Sequence, residues 1–595
     1  MTQTTAAAAT GAGAGAGAVL AADALVRQLE SYGVEYIFGT CGHTNIALLD
    51  ALSRSRIRFV IARHEQAAAH AADGYARASG KPGVLLVHVG PGMMNAVTGV
   101  ATAALDSVPL VAIAGDIPSY FYGRHPHQEV NLHADADQTA IYRPFVKRAW
   151  QVHRVEDLLR FTERAFWTAT SGRPGAVLLD VPMDVFSRTL SAEAAAVRPL
   201  VGLSASPSLP APVAAQIAGA LVGARRPLVY LGGGLHDEAG RQALLSIVEH
   251  LDIPVAHSLM AKGTLPDEHP LVLGMPGFWG LEVTNTYALN ADVVLALATR
   301  FAETDASSWN PNHTWRMPPT RLIQIDIDPA EIGRNYPVEI GAVADVGLAV
   351  QAIAQAVRAA VPEPTARPTL RDQIRVARTE LFTASRERGR SDQFPLRPER
   401  ILVDLRDALP ADAILVTDVG WNKNGVAQCY PLPTQGRFIT PGGASTMGFG
   451  PAAAVGVQIA EPDRVVVALV GDGGMSAQLA ALPMAVEQGA PVIFVVMNNR
   501  AHGTIADLET ANFGGGYGCE FLGPDGLPYS PDFAALARAC GADGYLVEQP
   551  ADLGSALRTA ISRRRPAVLD VPMVNEPVPT PGHWNIKDIY QGVFD

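Results

Sequence analysis

The sequence predicts an α/β protein made of three doubly wound parallel-sheet domains. Short runs rich in Val, Ile and Leu alternate with Ala-rich segments of helical period, the pattern of strands covered on both faces and joined by crossover helices. That alternation pauses twice, at 186–212 and at 359–397, where Ser, Pro and charged residues collect as linkers do. A chain of 595 residues also has room for several domains of about 150 residues each.

In chain order, the first 18 residues, MTQTTAAAATGAGAGAGA, have low complexity. They lack the basic start and apolar stretch of a signal peptide and are expected to be a disordered tail. LAADALVRQLESYG is an amphipathic helix stopped by Gly33, and VEYIFG is a buried strand. RFVIAR is the next strand, HEQAAAHAADGYARASG a helix closed by Gly80, and GVLLVHV and VPLVAIAG two more strands. The two pauses cut the chain into units at 19–188, 208–357 and 395–575, followed by a tail from 576 to 595. Units one and three share a layout, a Gly-rich turn after a strand and then a helix of small residues.

Composition excludes several classes. Asp and Glu outnumber Lys and Arg by 58 to 46, a net charge of −12, so non-specific nucleic-acid binding is not expected. No apolar run reaches the roughly 18 residues of a membrane span. Four cysteines without a CxxC pair suggest neither a disulfide framework nor zinc. They fit a reducing, cytoplasmic compartment.

The chemistry is concentrated in RVVVALVGDGGMSAQLAALPMAVEQGAPVIFVVMNNRAHG. A strand ends in Asp472-Gly473-Gly474, a helix follows, and a second strand ends in Asn498-Asn499. Glycines let backbone N–H groups approach an anion at a helix start. Asp472 and the Asn499 amide oxygen are hard ligands at the carboxyl ends of two strands. They suit Mg²⁺ holding a diphosphate at the edge where open sheets bind ligands.

This stretch resembles the thiamine diphosphate signature of the acetolactate synthase, oxalyl-CoA decarboxylase and 2-hydroxyacyl-CoA lyase superfamily. The resemblance runs from about residue 20 to 575. It includes Arg63-His64-Glu65-Gln66, Gly90-Pro91-Gly92 with Asn95, GRPGAVLLDVP, IDIDPAEIGRN, Asp418-Val419-Gly420, and the segment from Gly442 to Gly450. It implies pyrimidine-binding, central and diphosphate-binding domains. Asp472, Asn499 and the Ala501 carbonyl would bind Mg²⁺. Gly473, Gly474 and Asn422 would meet the diphosphate, with Trp421 and Asn95 also at the cofactor. The Ser445 backbone would accept from the aminopyrimidine, and Met447 would hold the cofactor bent. Glu65 would exchange a proton with the pyrimidine N1′, which a desolvated carboxyl can do. In the family, Glu65 and the diphosphate residues come from different subunits, so a homodimer or homotetramer is implied.

Within the superfamily, Met183, Thr304 and Leu508 stand where acetolactate synthases carry a lysine, an arginine and an aromatic residue. The segment from Asn131 to Phe145, with Leu132 and Gln138 as substrate contacts, looks closer to oxalyl-CoA decarboxylases and 2-hydroxyacyl-CoA lyases. Leu508-Glu509 resembles the active-site helix of actinobacterial 2-hydroxyacyl-CoA lyases, with Glu509 taking the substrate's hydroxyl proton and the tail acting as a lid. His43 resembles a residue of cyclic-diketone hydrolases, while His88, His127 and His133 are weaker candidates. The central unit offers Gly232-Gly233-Gly234, Lys262 and Arg300 for FAD or the ADP part of coenzyme A. The expected function is therefore cleavage of a 2-hydroxyacyl-CoA to formyl-CoA plus a ketone or aldehyde. The alternatives are an acetolactate synthase-like carboligase or 2-oxo acid decarboxylase, a cyclic 1,2-dione hydrolase, and a non-catalytic homologue that only binds the cofactor.

Overall fold

The computed structural model of the chain describes residues 18–130, 137–200, 202 and 206–576. Leu132, His133 and the expected C-terminal lid lie outside the described residues. Among these residues the strands form three six-stranded sheets, each parallel throughout, and one two-stranded antiparallel pair. The expected doubly wound α/β architecture is thus present. The sheets fall into two compact units, one of residues up to 202 without 73–81, the other of 73–81 with 203 onward.

In the first unit the sheet runs, edge to edge, Arg58–Ile61, Tyr36–Gly39, Gly83–Val87, Leu110–Asp116, Ala176–Pro182 and Arg148–Gln151. Its central strands are buried along their length because helices such as Ala21–Ser31 and Leu158–Thr170 press Leu25, Leu29, Leu158 and Phe166 onto the sheet. The chain order reverses between Tyr36–Gly39 and Gly83–Val87. A crevice therefore opens at the carboxyl ends of these two strands, the usual ligand position of such a sheet.

The expected linker at 186–212 begins inside this unit. Thr189–Leu190 pairs antiparallel with Val19–Leu20, and Leu190 is buried. A Leu between polar residues carries no periodicity of its own, so only the pairing reveals its role.

The second unit holds the other two sheets. One has Pro227–Leu231 and Val293–Leu297 at its centre, the other Ile414–Thr417, Val466–Gly471 and Ile493–Asn498. Each has its own core. The last sheet reverses order between Ile414–Thr417 and Val466–Gly471, which sets the Asp418 and Asp472 turns side by side. The charged helix expected in the 359–397 stretch is Pro368–Arg388. No helix among the described residues is long and apolar enough to cross a membrane.

Candidate active site

In the first unit, Glu65 opens the helix Glu65–Ser79 beside the crevice. Thr40, one residue past the strand Tyr36–Gly39, donates its hydroxyl to Glu65 Oε1 at 2.9 Å, and Asn95 donates its amide to Oε2 at 2.9 Å. Both carboxylate oxygens are fixed, so the orientation of the group is set by two segments distant in sequence. Glu65 is only half-buried within this unit. The turn after Gly83–Val87 needs glycine at position 90, where φ is 60° and a Cβ would meet the Gln128 carbonyl at 1.9 Å.

His88 lies near this carboxylate and belongs to a cluster of three imidazoles. A Cβ added at Gly92 would sit 3.2 Å from His88 Cβ and 3.4 Å from Glu65 Oε1, so a single glycine separates the two. The ring of His43 meets that of His88 edge-on at 4.7 Å and stacks on His127 at 6.0 Å. His88 Nε2 lies 2.8 Å from the Gln128 amide oxygen, which only accepts, so Nε2 carries the proton and donates. His88 Nδ1 then accepts from the Thr44 hydroxyl at 2.8 Å. Desolvation, then the neighbouring His88 and His127, lower the pKa of His43 below the ordinary histidine value. At neutral pH it is an uncharged imidazole able to donate one N–H.

Gln138 does not match its expected role as a substrate contact. It is buried, its Oε1 accepts from Gly90 N at 3.1 Å, and its Nε2 donates to Asp180 Oδ1 at 2.7 Å. Both ends of the amide hold the fold. Asp180 is fully buried next to Asp116, and desolvation raises its pKa well above the carboxylate range. The Asp-Gln pattern therefore marks a buried polar network under the Gly90 turn.

In the second unit, the parallel register pairs Gly471 with Met497 and so brings the carboxyl ends of Val466–Gly471 and Ile493–Asn498 together. Asp472 is buried, and desolvation raises its pKa to about 6. It accepts from Gly473 N at 3.0 Å and from Arg500 N at 2.7 Å. Arg500 has φ of 60°, which turns the chain so that the Ala501 carbonyl faces back. With its nitrogen on Asn575 Oδ1 at 2.8 Å, Asn499 places Oδ1 3.1 Å from the Ala501 carbonyl and 3.2 Å from Asp472 Oδ1.

Three acceptors this close repel one another unless something positive lies among them. Rotating the Asn499 amide would supply a nitrogen, but would then oppose oxygens of Asn499 and Asn575 unless Asn575 turned as well. A Mg²⁺ ion removes the conflict. Octahedral ligands at about 2.1 Å stand about 3 Å apart, close to these separations. The donor set fits Mg²⁺ in chemistry as well: one carboxylate, one amide and one carbonyl. No group of three or more His, Cys, Asp and Glu that could hold a metal exists among the described residues.

The surrounding residues behave unequally. A Cβ at Gly473 would strike the His502 ring at 2.9 Å and lie 3.2 Å from Met447 Cε, so Gly473 keeps the backbone open under both side chains. Gly474 serves packing, since a Cβ there would lie 2.8 Å from Asp418 Oδ1. Asn422 donates one N–H of its amide to the Val419 carbonyl at 2.9 Å and keeps a second N–H that a phosphate oxygen can accept. Its buried Oδ1 has no partner. Trp421 packs against Gly503. Ser445, with φ of 46°, turns its carbonyl segment sharply, and its hydroxyl accepts from Lys423 Nζ at 3.0 Å. Met447 is half exposed, free to press on a ligand.

Sequence reading passed over Thr40, Lys423, His502 and Asp418's role as a node. Asp418 is buried and accepts from the backbone N–H groups of Val419, Gly448 and Gly450 at 2.8 to 2.9 Å. Asp418→Ala leaves three buried donors unsatisfied and is expected to destabilise the protein by at least about 3 kcal/mol. Urea unfolding with a midpoint equal to that of the parent would refute this.

In the central sheet, the glycines expected at a nucleotide lie against a neighbouring strand end. A Cβ at Gly232 would meet the Ala298 carbonyl at 1.8 Å, and one at Gly234 the Ala298 Cβ at 2.6 Å. These glycines let the ends of two adjacent strands approach each other closely. Lys262 is buried against Asp267, with Nζ to Oδ2 at 2.5 Å, and is not available to a substrate. Arg300 accepts through its carbonyl from Asn335 at 2.8 Å. Of the residues expected at a nucleotide here, Lys262 is the one engaged within the fold.

Glu509 and Leu508 lie half-buried on the helix Gly503–Phe513, just past Asn499. Glu509 Oε2 accepts from the Cys519 thiol at 3.3 Å, which raises the pKa of that thiol.

Comparison with known proteins gives matches along most of the chain. Residues 20–141 match the thiamine pyrophosphate enzyme N-terminal TPP binding domain, 214–353 the central domain, and 418–571 the C-terminal TPP binding domain. The chain is 33% identical to a probable acetolactate synthase large subunit of Methanococcus aeolicus, over 92% of this chain and 91% of that one. It is 34% identical to the acetolactate synthase isozyme 3 large subunit of Escherichia coli, over 91% and 92%. It is also 34% identical to the chloroplastic acetolactate synthase of Arabidopsis thaliana, over 92% and 81%.

Proposed function

Because the chain belongs to the thiamine pyrophosphate enzyme family, we propose that it is a carboligase of the acetolactate synthase type, taking a 2-oxo acid donor and an uncharged carbonyl acceptor. The observation that carries this is the convergence of Asp472, Asn499 and Ala501 oxygens, together with a Glu65 carboxylate fixed at both oxygens. Thiamine diphosphate, when bound, supplies a centre that stabilises negative charge next to a carbonyl carbon. Asp472, Asn499 and the Ala501 carbonyl would hold a Mg²⁺ ion, whose charge would offset that of the diphosphate. Glu65 exchanges a proton at the pyrimidine N1′, and Thr40 and Asn95 aim it. Neutral His43 is placed to donate an N–H group to a carbonyl oxygen that gains charge, with His88 packed edge-on against its ring.

The choice of acceptor follows from the cations this chain lacks. A second 2-oxo acid brings a carboxylate, which calls for a cationic partner. Met183 starts the helix Met183–Ser187, and Thr304 donates its hydroxyl towards Asp305 at 3.4 Å. Neither carries the positive charge of an ion-pair partner for a carboxylate. An aldehyde or ketone needs only hydrogen-bond donors. The active species in this proposal is a cytoplasmic homodimer or homotetramer.

The 2-hydroxyacyl-CoA lyase reading rests on Glu509 as base. A panel separates the two: pyruvate or 2-oxobutyrate with aldehydes, against 2-hydroxyacyl-CoA esters, with Mg²⁺ and thiamine diphosphate present. Release of CO₂ with formation of a hydroxyketone is expected. Formyl-CoA formation without 2-oxo acid turnover would overturn the carboligase and restore the lyase.

Glu509→Ala adds a second check. In a carboligase it is expected to change turnover less than about tenfold, whereas a lyase losing its base loses at least roughly tenfold. In either case the Cys519 thiol loses the carboxylate that raises its pKa, so it should alkylate faster than in the parent. Equal alkylation rates would show that the pair at 3.3 Å does not govern the thiol.

A further inference from the structure

The first unit also carries a cavity of about 600 Å³ whose walls include Arg148, Arg160, Arg164, Arg198, Trp150 and Phe161. It is built from the edge strand Arg148–Gln151 and the helix Leu158–Thr170. Positions 160 and 164 are four apart on one helix face, so their side chains share a wall.

The charge here opposes that of the whole chain. The protein carries a net −12, yet four guanidiniums and only one carboxylate, Glu163, line this cavity. Two of the four are paired. Arg198 Nε meets Glu163 Oε2 at 2.6 Å, and Arg160 meets Asp157 Oδ1 at 2.8 Å. Arg148 and Arg164 have no ion-pair partner among the described residues. Like charges gathered on an acidic protein repel one another, and an anion between them relieves the repulsion.

Trp150 and Phe161 are half-buried in the same wall. The Arg148 guanidinium lies 6.0 Å from the Trp150 ring and that of Arg160 4.7 Å from the Phe161 ring. A planar ligand stacks on such faces, and guanidinium forks bind phosphate oxygens two at a time. The volume suits a small organic anion.

We propose that this cavity binds a nucleoside di- or triphosphate, with the base against Trp150 and Phe161 and the phosphates on Arg148 and Arg164. The site is separate from the residues assigned to catalysis and does not depend on the proposed reaction.

Calorimetry tests it on the holoenzyme, saturated with thiamine diphosphate and Mg²⁺ so that the catalytic diphosphate site is filled. ADP at low salt is expected to bind one site per chain and more tightly than inorganic pyrophosphate. Arg148→Ala with Arg164→Ala should weaken ADP at least about tenfold while the thermal unfolding curve stays in place. Trp150→Leu should weaken ADP and leave pyrophosphate unchanged. No heat with millimolar ADP, equal affinity in the arginine double variant, or pyrophosphate binding as well as ADP would each overturn the proposal.

Discussion

Asp472→Ala is expected to lower thiamine diphosphate affinity by roughly two orders of magnitude or more while the protein stays folded. Asp472 is the one carboxylate among the three oxygens that converge, and Mg²⁺ held by an amide and a carbonyl alone loses most of its electrostatic attraction. The fold loses less. Asp472 accepts two backbone N–H groups, from Gly473 and Arg500, and losing them costs about 1–3 kcal/mol each at most. Titration of the cofactor at fixed Mg²⁺, with circular dichroism alongside, checks both parts. Asp472→Asn keeps the shape and removes the charge, so it should lose affinity with a smaller loss of stability. Unchanged cofactor binding in either variant would move the metal elsewhere.

Glu65→Gln is expected to bind cofactor but to lose about 10²–10⁴ in turnover, since an amide cannot exchange a proton at N1′. Glutamine keeps the volume and one acceptor for Thr40, but its nitrogen then faces the Asn95 amide, which donates to Glu65 Oε2 in the parent. The loss should appear in kcat with little change in cofactor affinity. Thr40→Val and Asn95→Ala act only on orientation, so each should cost less than Glu65→Gln. Turnover of Glu65→Gln equal to the parent would remove Glu65 from the reaction, and with it the proton exchange on which the carboligase reading depends.

The sequence alone determined the features that are local in the chain. Strands and helices follow from apolar period, so the three parallel sheets and the charged helix Pro368–Arg388 were legible. The nearness of Asp472 and Asn499 was legible too, because each follows the last residue of a strand, and adjacent parallel strands bring those ends together. Tertiary structure decided what lies opposite each side chain. Gln138 reads as a substrate contact until Gly90 and Asp180 are found on its two ends. Gly232 reads as a phosphate turn until the Ala298 carbonyl occupies the space. Lys262 reads as a free cation until Asp267 is found beside it. The cluster of His43, His88 and His127, and the Thr40 and Asn95 donors on Glu65, join segments far apart in sequence. A hydrogen bond or a steric clash acts over a few ångströms of space, and sequence spacing fixes such distances only within one helix or strand; between elements, the packing of the sheet sets them.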